Sequence, residues 1–265
     1  MVRKAIILAA GMGTRLRPLT NKEHKCMTKV CGTPIIYQAL SNLQKADFDE
    51  VVVVTGYLGE QVENHIKAFG LKMNIKFAKN DIYEKTNTIY SLKCGLTKLQ
   101  DFDELYIIEG DVFFEENVLH RLIESESENA TILEPYNSTL DGTFVELNNN
   151  KDVVDWCHKS DQPVDYVKAD KFKTVNLHKF SSGTVENILK PLIDKYLICE
   201  HFSNPIEKLM RIMVNDNNKL IHGVILSGEK WFEIDDINDL KIAESIFGGS
   251  SNGRCSDGKL ASNLE

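Results

Sequence analysis

Hydrophobic and polar positions follow two periods along the first part of the chain. Residues 4–8 (KAIIL) form a short apolar run that breaks at Ala9-Ala10-Gly11, and residues 51–55 (VVVVT) form a second that breaks at Gly56. Apolar runs of this length without polar alternation suit strands buried on both faces, as in a parallel sheet covered by helices. Between them, residues 35–43 (IIYQALSNL) carry apolar side chains at helical spacing, and Pro34 stands at the start, where a missing N–H is harmless. The alternation continues with a helix over 60–69, a strand over 73–77, a helix over 88–99 and a strand over 105–109. This order predicts an α/β fold, a doubly wound and mostly parallel sheet with right-handed crossovers. Ligands in such sheets sit beyond the carboxyl ends of the strands, here at the loops that begin at Ala9, Gly56 and Gly110.

The pattern changes after the apolar residues 130–133. Residues 143–147, 153–157 and 173–177 read as short strands between polar loops, a small β-rich insertion over about 134–182 that would serve as a lid. Helices follow over 184–196, with Pro191 kinking it, and over 205–214; a strand over 220–226 and a last helix over 237–247 complete one domain, residues 1–247. From 248 to 265 glycine and serine dominate and apolar periodicity is lost, which predicts a flexible tail or linker.

Composition narrows the function classes. The chain has 265 residues, 42% of them hydrophobic, enough for one sizeable core, and its formal net charge of -8 leaves no electrostatic footprint for a nucleic-acid backbone. The six cysteines lie far apart, without the paired spacing of a zinc site, so reduced structural thiols are expected. No run approaches the roughly 20 apolar residues of a membrane helix. A cytoplasmic location and no membrane partner are therefore expected.

The chemistry concentrates in Leu8-Ala9-Ala10-Gly11-Met12-Gly13-Thr14-Arg15-Leu16. Small residues after a strand let a nucleotide approach the backbone, loop N–H groups can cradle phosphate oxygens, and Arg15 adds a forked cation. There is no G-x-x-x-x-G-K-[ST], and Leu16 occupies the third glycine position of the dinucleotide fingerprint, which argues against kinase and dehydrogenase loops. A bare G-x-G also suits an ordinary tight turn.

The surrounding residues extend the signal. Lys25, in His24-Lys25-Cys26-Met27, follows the loop by about ten residues, and Glu109-Gly110-Asp111 ends the predicted strand 105–109. With the L-A-A-G-x-G-T-R loop, these residues resemble the nucleotidyltransferase-like A superfamily, although many members have proline where His24 stands. The segments Asn80 to Tyr83 and Thr86 to Leu92, and the closing Trp231-Phe232-Glu233-Ile234-Asp235, resemble the short phosphocholine and phosphonate cytidylyltransferases.

That resemblance implies a Rossmann-like nucleotidyltransferase fold, an Mg²⁺ cofactor, an NTP (CTP by resemblance) and a small phosphorylated or phosphonylated acceptor. Asp111 and Asp235 would be the metal ligands, Lys25 would stabilise the α-phosphoryl charge and Arg15 would take the leaving pyrophosphate. Leu8, Ala10, Gly11, Gly13, Thr14 and Glu109 would lie along the nucleotide, and Asn80, Thr86, Asn87 and Ser91 would contact its base. Amides and hydroxyls satisfy a cytosine or a uracil edge equally. Asp111 also suits a turn, and Asp235 a helix cap. On the acceptor side, Lys173 reads as a phosphate-binding cation or as a solvated strand lysine. Trp231, with Trp156, Tyr166 and Phe180, reads as an aromatic wall or as core. The rival readings are a sugar-1-phosphate nucleotidyltransferase and a non-catalytic nucleotide-binding regulator; a tethered kinase or aminotransferase domain is the expectation attached to the tail.

Overall fold

The computed structural model describes residues 1–199, 202–215 and 221–249. The expected flexible tail lies outside the described residues from 250 onward, and the last helix runs through Gly248.

In chain order the elements are β1 (Arg3–Ala9), β2 (Lys29–Val30), β3 (Thr33–Pro34), α1 (Ile35–Lys45), β4 (Glu50–Thr55), α2 (Gly59–Ala68), β5 (Asn74–Lys79), α3 (Thr88–Leu96) and β6 (Glu104–Glu109). Then come β7 (Val112–Phe114), α4 (Glu116–Ile123), β8 (Asn129–Pro135), β9 (Phe144–Leu147), β10 (Val153–Cys157) and β11 (Phe172–Ser181). The chain continues with α5 (Ser182–Thr184), α6 (Lys190–Ile198), α7 (Glu207–Asn215), β12 (His222–Ile225), β13 (Trp231–Glu233) and α8 (Ile237–Gly248).

The apolar runs are double-sided because two cores flank the sheet. Ala5, Ile7 and Ala9 of β1 and Val51 and Val53 of β4 pack with residues of α1, α2 and α4, whereas Ile6, Leu8, Val52 and Val54 face α3, α6 and α7. β5, β4, β1 and β6 form the parallel half in that order, with Leu8 level with both Val54 and Glu109. This register brings the loops after β1, β4 and β6 to one edge. A third small core, in which Leu240 and Ala243 of α8 meet Leu16, Val30, Ile35 and Phe113, holds the end of the described chain against the loop after β1.

The insertion is not separate from the sheet. β11, expected as a short strand over 173–177, is ten residues long and pairs antiparallel with β6 through its second half, with β9 through its first two residues and with β8 along its other edge. Its sequence, FKTVNLHKFS, hides this because five polar side chains (Lys173, Thr174, Asn176, His178, Lys179) are buried. Asn176 takes a positive φ of 63° where β11 exchanges β9 for β6. The pattern reading also passed over α4 and the two-stranded ribbon of β7 and β13. Pro191 stands in the first turn of α6, directly after a π turn over Val185–Leu189.

Gly95 lets α3 pack tightly on the sheet: a Cβ there would lie 2.9 Å from Ile6 Cγ2 and 3.0 Å from Val54 Cγ2. Gly95→Val is expected to lower unfolding free energy by about 1–3 kcal/mol in urea titration. An unchanged midpoint would contradict the packing described.

Candidate active site

The loop leaving β1 is shaped by glycine at one essential point. Gly13 has φ of 58° and opens the 3-10 turn Thr14–Leu16; a Cβ on it would lie 2.8 Å from Lys25 Cβ. Thr20 fixes the loop by donating its hydroxyl to the Gly13 carbonyl at 2.7 Å. Gly11, in contrast, has open space where a Cβ would stand. Lys25 starts a second turn, Lys25–Met27, anchored by buried Cys26 and Met27. His24 caps this turn: its Nδ1 accepts the Cys26 N–H at 3.1 Å, leaving the ring proton on Nε2.

Lys25 Nζ lies between two carboxylates from distant parts of the chain, donating to Asp111 Oδ2 at 2.8 Å and to Asp235 Oδ1 at 2.7 Å. Arg15 Nη2 reaches the same Asp235 oxygen at 2.7 Å, although its side chain is 69% exposed. The backbone links the two acids as well, since Ile234 N–H donates to the Asp111 carbonyl at 3.0 Å. Burial alone would push the Lys25 ammonium down, but Asp111 and Asp235 outweigh it and hold it above its ordinary value. Burial would raise Asp235, yet Lys25 and Arg15 keep it below the usual carboxylate range. The alternative reading of Asp235 as a cap falls to its neighbour: Asp236 caps α8 in a capping box with Asp239, and the Asp235 side chain is left for the cleft.

A second group of acids adjoins the first. Oxygens of Glu109, Asp111 and Glu233 all lie within 4.8 Å of one another. Burial pushes Glu109 and Glu233 up, reinforced by neighbouring carboxylates and opposed by Lys173. Burial raises Glu207 too, against the pull of its own backbone N–H and Lys173. Lys173 is not the solvated lysine that a strand position allows: it is 3% exposed, donates to Glu233 Oε2 at 3.0 Å and to the Thr174 carbonyl at 2.6 Å, and lies over the Trp231 ring at 5.8 Å.

These groups line a cleft of about 760 Å³ at the carboxyl ends of the parallel strands. Of the residues expected along the nucleotide, Leu8, Gly11, Gly13, Thr14, Asn87 and Glu109 line it. Arg15, Lys25, Asp111 and Asp235 line it as well, and so do Lys173 and Trp231. Ala10, Asn80, Thr86 and Ser91 do not line it. Asn80 is buried and donates to Thr86 Oγ1 at 2.9 Å and Ser91 Oγ at 3.1 Å while its carbonyl accepts the Ile82 N–H, so these three polar groups satisfy one another and order the loop after β5. The aromatic wall is also reduced. Trp156 and Phe180 are fully buried in a core, and of the four aromatics considered only Trp231 lines the cleft. Sequence reasoning did not select Glu207, Glu233, Asn176 or His24, all of which line it. Glu233 was within reach, two positions before Asp235 in an otherwise apolar closing motif.

The fold and cleft define a doubly wound α/β protein with a charged cleft at the carboxyl ends of its parallel strands. A family model described as nucleotidyl transferase matches residues 4–241, and the chain belongs to that family. It is 38% identical over 115 residues to a choline-phosphate cytidylyltransferase of Haemophilus influenzae, covering 43% of this chain and 46% of the relative. It is 27% identical over 240 residues to the CMP-5'-(3-aminopropyl)phosphonate synthase of Streptomyces rubellomurinus, covering 89% of this chain and 36% of that protein. The chain thus spans about half or less of the length of these two relatives. Its fold matches the solved CTP:phosphocholine cytidylyltransferase of Streptococcus pneumoniae with a TM-score of 0.71 and 23% identity, covering 93% of this chain and 99% of that one. Among the described residues no helix is long and apolar enough to cross a membrane.

His24 generates a pH prediction. It is 2% exposed, and burial, with a smaller push from Lys25, lowers its pKa to about 4 from 6.5, against a hydrogen bond to the Gly11 backbone that raises it. The unfolded chain then binds a proton near pH 6.5 that the folded chain refuses until about pH 4, so stability is full above 6.5 and declines as pH falls through that window. Urea titrations at pH 7, 6 and 5 are expected to show this decline, with a shallower slope in His24→Asn, which retains a capping oxygen. Equal slopes would contradict a neutral buried His24.

Proposed function

We propose that this chain is a cytidylyltransferase: it joins CMP from CTP to a small phosphorylated or phosphonylated acceptor and releases pyrophosphate. The observation that carries the reading is Lys25 held between Asp111 and Asp235 beneath a glycine-rich loop. In the reaction an acceptor phosphate or phosphonate oxygen attacks the α-phosphorus, one new P–O bond forms, and the bond to the β-phosphate breaks with its electron pair leaving on pyrophosphate. Almost no proton chemistry is needed, so the protein's contribution is orientation and charge neutralisation.

Lys25 suits the charge that builds on the α-phosphoryl oxygens, because its flanking carboxylates keep it protonated. Arg15, exposed and tied only to Asp235 among the ion pairs of the described residues, is free to turn toward the departing pyrophosphate. The open side of Gly11 admits the nucleotide close to the backbone. Asp111 and Asp235 would hold Mg²⁺; their donors are the hard oxygens that this ion prefers, and Asp111 Oδ1 is buried without a hydrogen-bond partner. When bound, the ion would neutralise charge on the α-phosphate. Lys173 and Trp231, which line the same cleft, are assigned to the acceptor in this reading, and the preference for CTP is taken from the named relatives.

The test is pyrophosphate release with Mg²⁺, pairing CTP, UTP, GTP and dTTP with alkyl phosphates, alkylphosphonates and sugar 1-phosphates. Release is expected with CTP and a small alkyl acceptor, and Lys25→Met is expected to lower kcat by about a hundredfold or more. Release confined to sugar 1-phosphates would move the chain to nucleotide-sugar synthesis. Tight nucleotide binding without any release would make it a regulator.

A further inference from the structure

One carboxylate in the cleft is left without a strong partner. Glu207, in the first turn of α7, is 8% exposed and lines the cleft with Lys173, Asn176, Trp231 and Glu233. Its Oε1 accepts the Thr143 hydroxyl at a long 3.4 Å, and its Oε2 is buried with no hydrogen-bond partner among the described residues. The neighbouring acids are engaged: Glu109 accepts from Asn176 at 3.3 Å, Glu233 accepts from Lys173, and Asp111 and Asp235 share Lys25. A buried carboxylate oxygen without a donor is costly, and a ligand that supplies N–H groups there removes the cost.

The cleft offers little to a cation that lacks N–H groups. A trimethylammonium binds through aromatic faces. Trp231 already carries the Lys173 ammonium over its ring, its indole N–H is committed to Glu134 at 3.2 Å, Phe232, which also lines the cleft, packs against the small third core, and Trp156 and Phe180 are sealed in a core. A primary ammonium supplies three donors on a compact head, which match an oxygen-lined end rather than an aromatic cage.

We propose that Glu207 receives a primary ammonium on the acceptor, so that the acceptor is an aminoalkyl phosphate or aminoalkylphosphonate and not a quaternary-amine ester. The assignment rests on the cytidylyltransferase reading above and adds the identity of the acceptor's far end. Lys173 takes no part in binding the ammonium; its charge, beside Glu233, favours the acceptor's anionic end.

The experiment compares phosphoethanolamine and 2-aminoethylphosphonate with phosphocholine, using CTP and Mg²⁺ in the intact protein. The primary amines are expected to exceed phosphocholine in kcat/KM by roughly tenfold or more. Glu207→Gln is expected to raise KM for the primary amines by about tenfold while changing KM for phosphocholine by less than about twofold. The KM for CTP in this variant reports whether the fold is intact. Phosphocholine used as well as or better than the primary amines would overturn the inference and leave the cytidylyltransferase reading standing, as would a Glu207→Gln effect equal on all three acceptors. Turnover only with sugar 1-phosphates would defeat both. If no acceptor turns over, calorimetric titration decides: phosphoethanolamine binding that Glu207→Gln weakens upholds the ammonium site, and binding equal to that of phosphocholine overturns it.

Discussion

The Lys25 ammonium, placed between the Asp111 and Asp235 carboxylates, is the interaction on which the site depends. It joins three segments remote in sequence: the loop after β1, the turn after β6 and the turn after β13. Removing the lysine would leave two carboxylates facing each other in a half-buried cleft, and removing either acid would leave a buried ammonium with half its compensation. The chain prevents both by fixing the backbone on each side. Gly13 gives way to the stem of Lys25, the turn Lys25–Met27 is pinned in the core, and Ile234 donates its N–H to the Asp111 carbonyl.

The sheet makes that meeting geometric rather than accidental. Parallel pairing with Leu8 level with Glu109 brings the ends of β1 and β6 together, and Gly110 permits the contact, since a Cβ there would lie 2.7 Å from the Leu8 carbonyl oxygen. The ribbon of β7 and β13 then returns the last part of the described chain to the same edge, and α8 clamps it against Leu16, Ile35 and Phe113. Charge is concentrated where water is partly excluded, so each ionisable group is set by its neighbours: Asp235 held ionised by Lys25 and Arg15, Glu233 raised by burial beside Lys173.

Much of this was legible in the sequence, for identifiable reasons. The buried strands β1, β4 and β6 announce themselves as unbroken apolar runs, and the glycines after them mark the ligand edge: a Cβ at Gly56 or Gly110 would press on a backbone oxygen, and Gly13 takes a positive φ against the Lys25 stem. Asp111, Asp235 and Lys25 follow from motif and position. β11 was foreshortened because Lys173, Asn176, His178 and Lys179 look like surface residues, yet each is buried within the sheet. Asn80, Thr86 and Ser91 are expected at the base because their segment resembles the base-reading segment of the short cytidylyltransferases, whereas here their polar groups bond to one another. Glu207 was passed over because an acid in a helix's first turn is ordinary; only the fold shows that this one points into a cleft with an unpartnered oxygen.

The most direct measurement is a crystal structure of the protein grown with CTP and Mg²⁺. The account predicts the cytidine phosphates over Gly11 and Gly13, with Lys25 Nζ drawn away from at least one of its two carboxylates toward the α-phosphate. A nucleotide bound outside this cleft, with Lys25 still shared between Asp111 and Asp235, would contradict it.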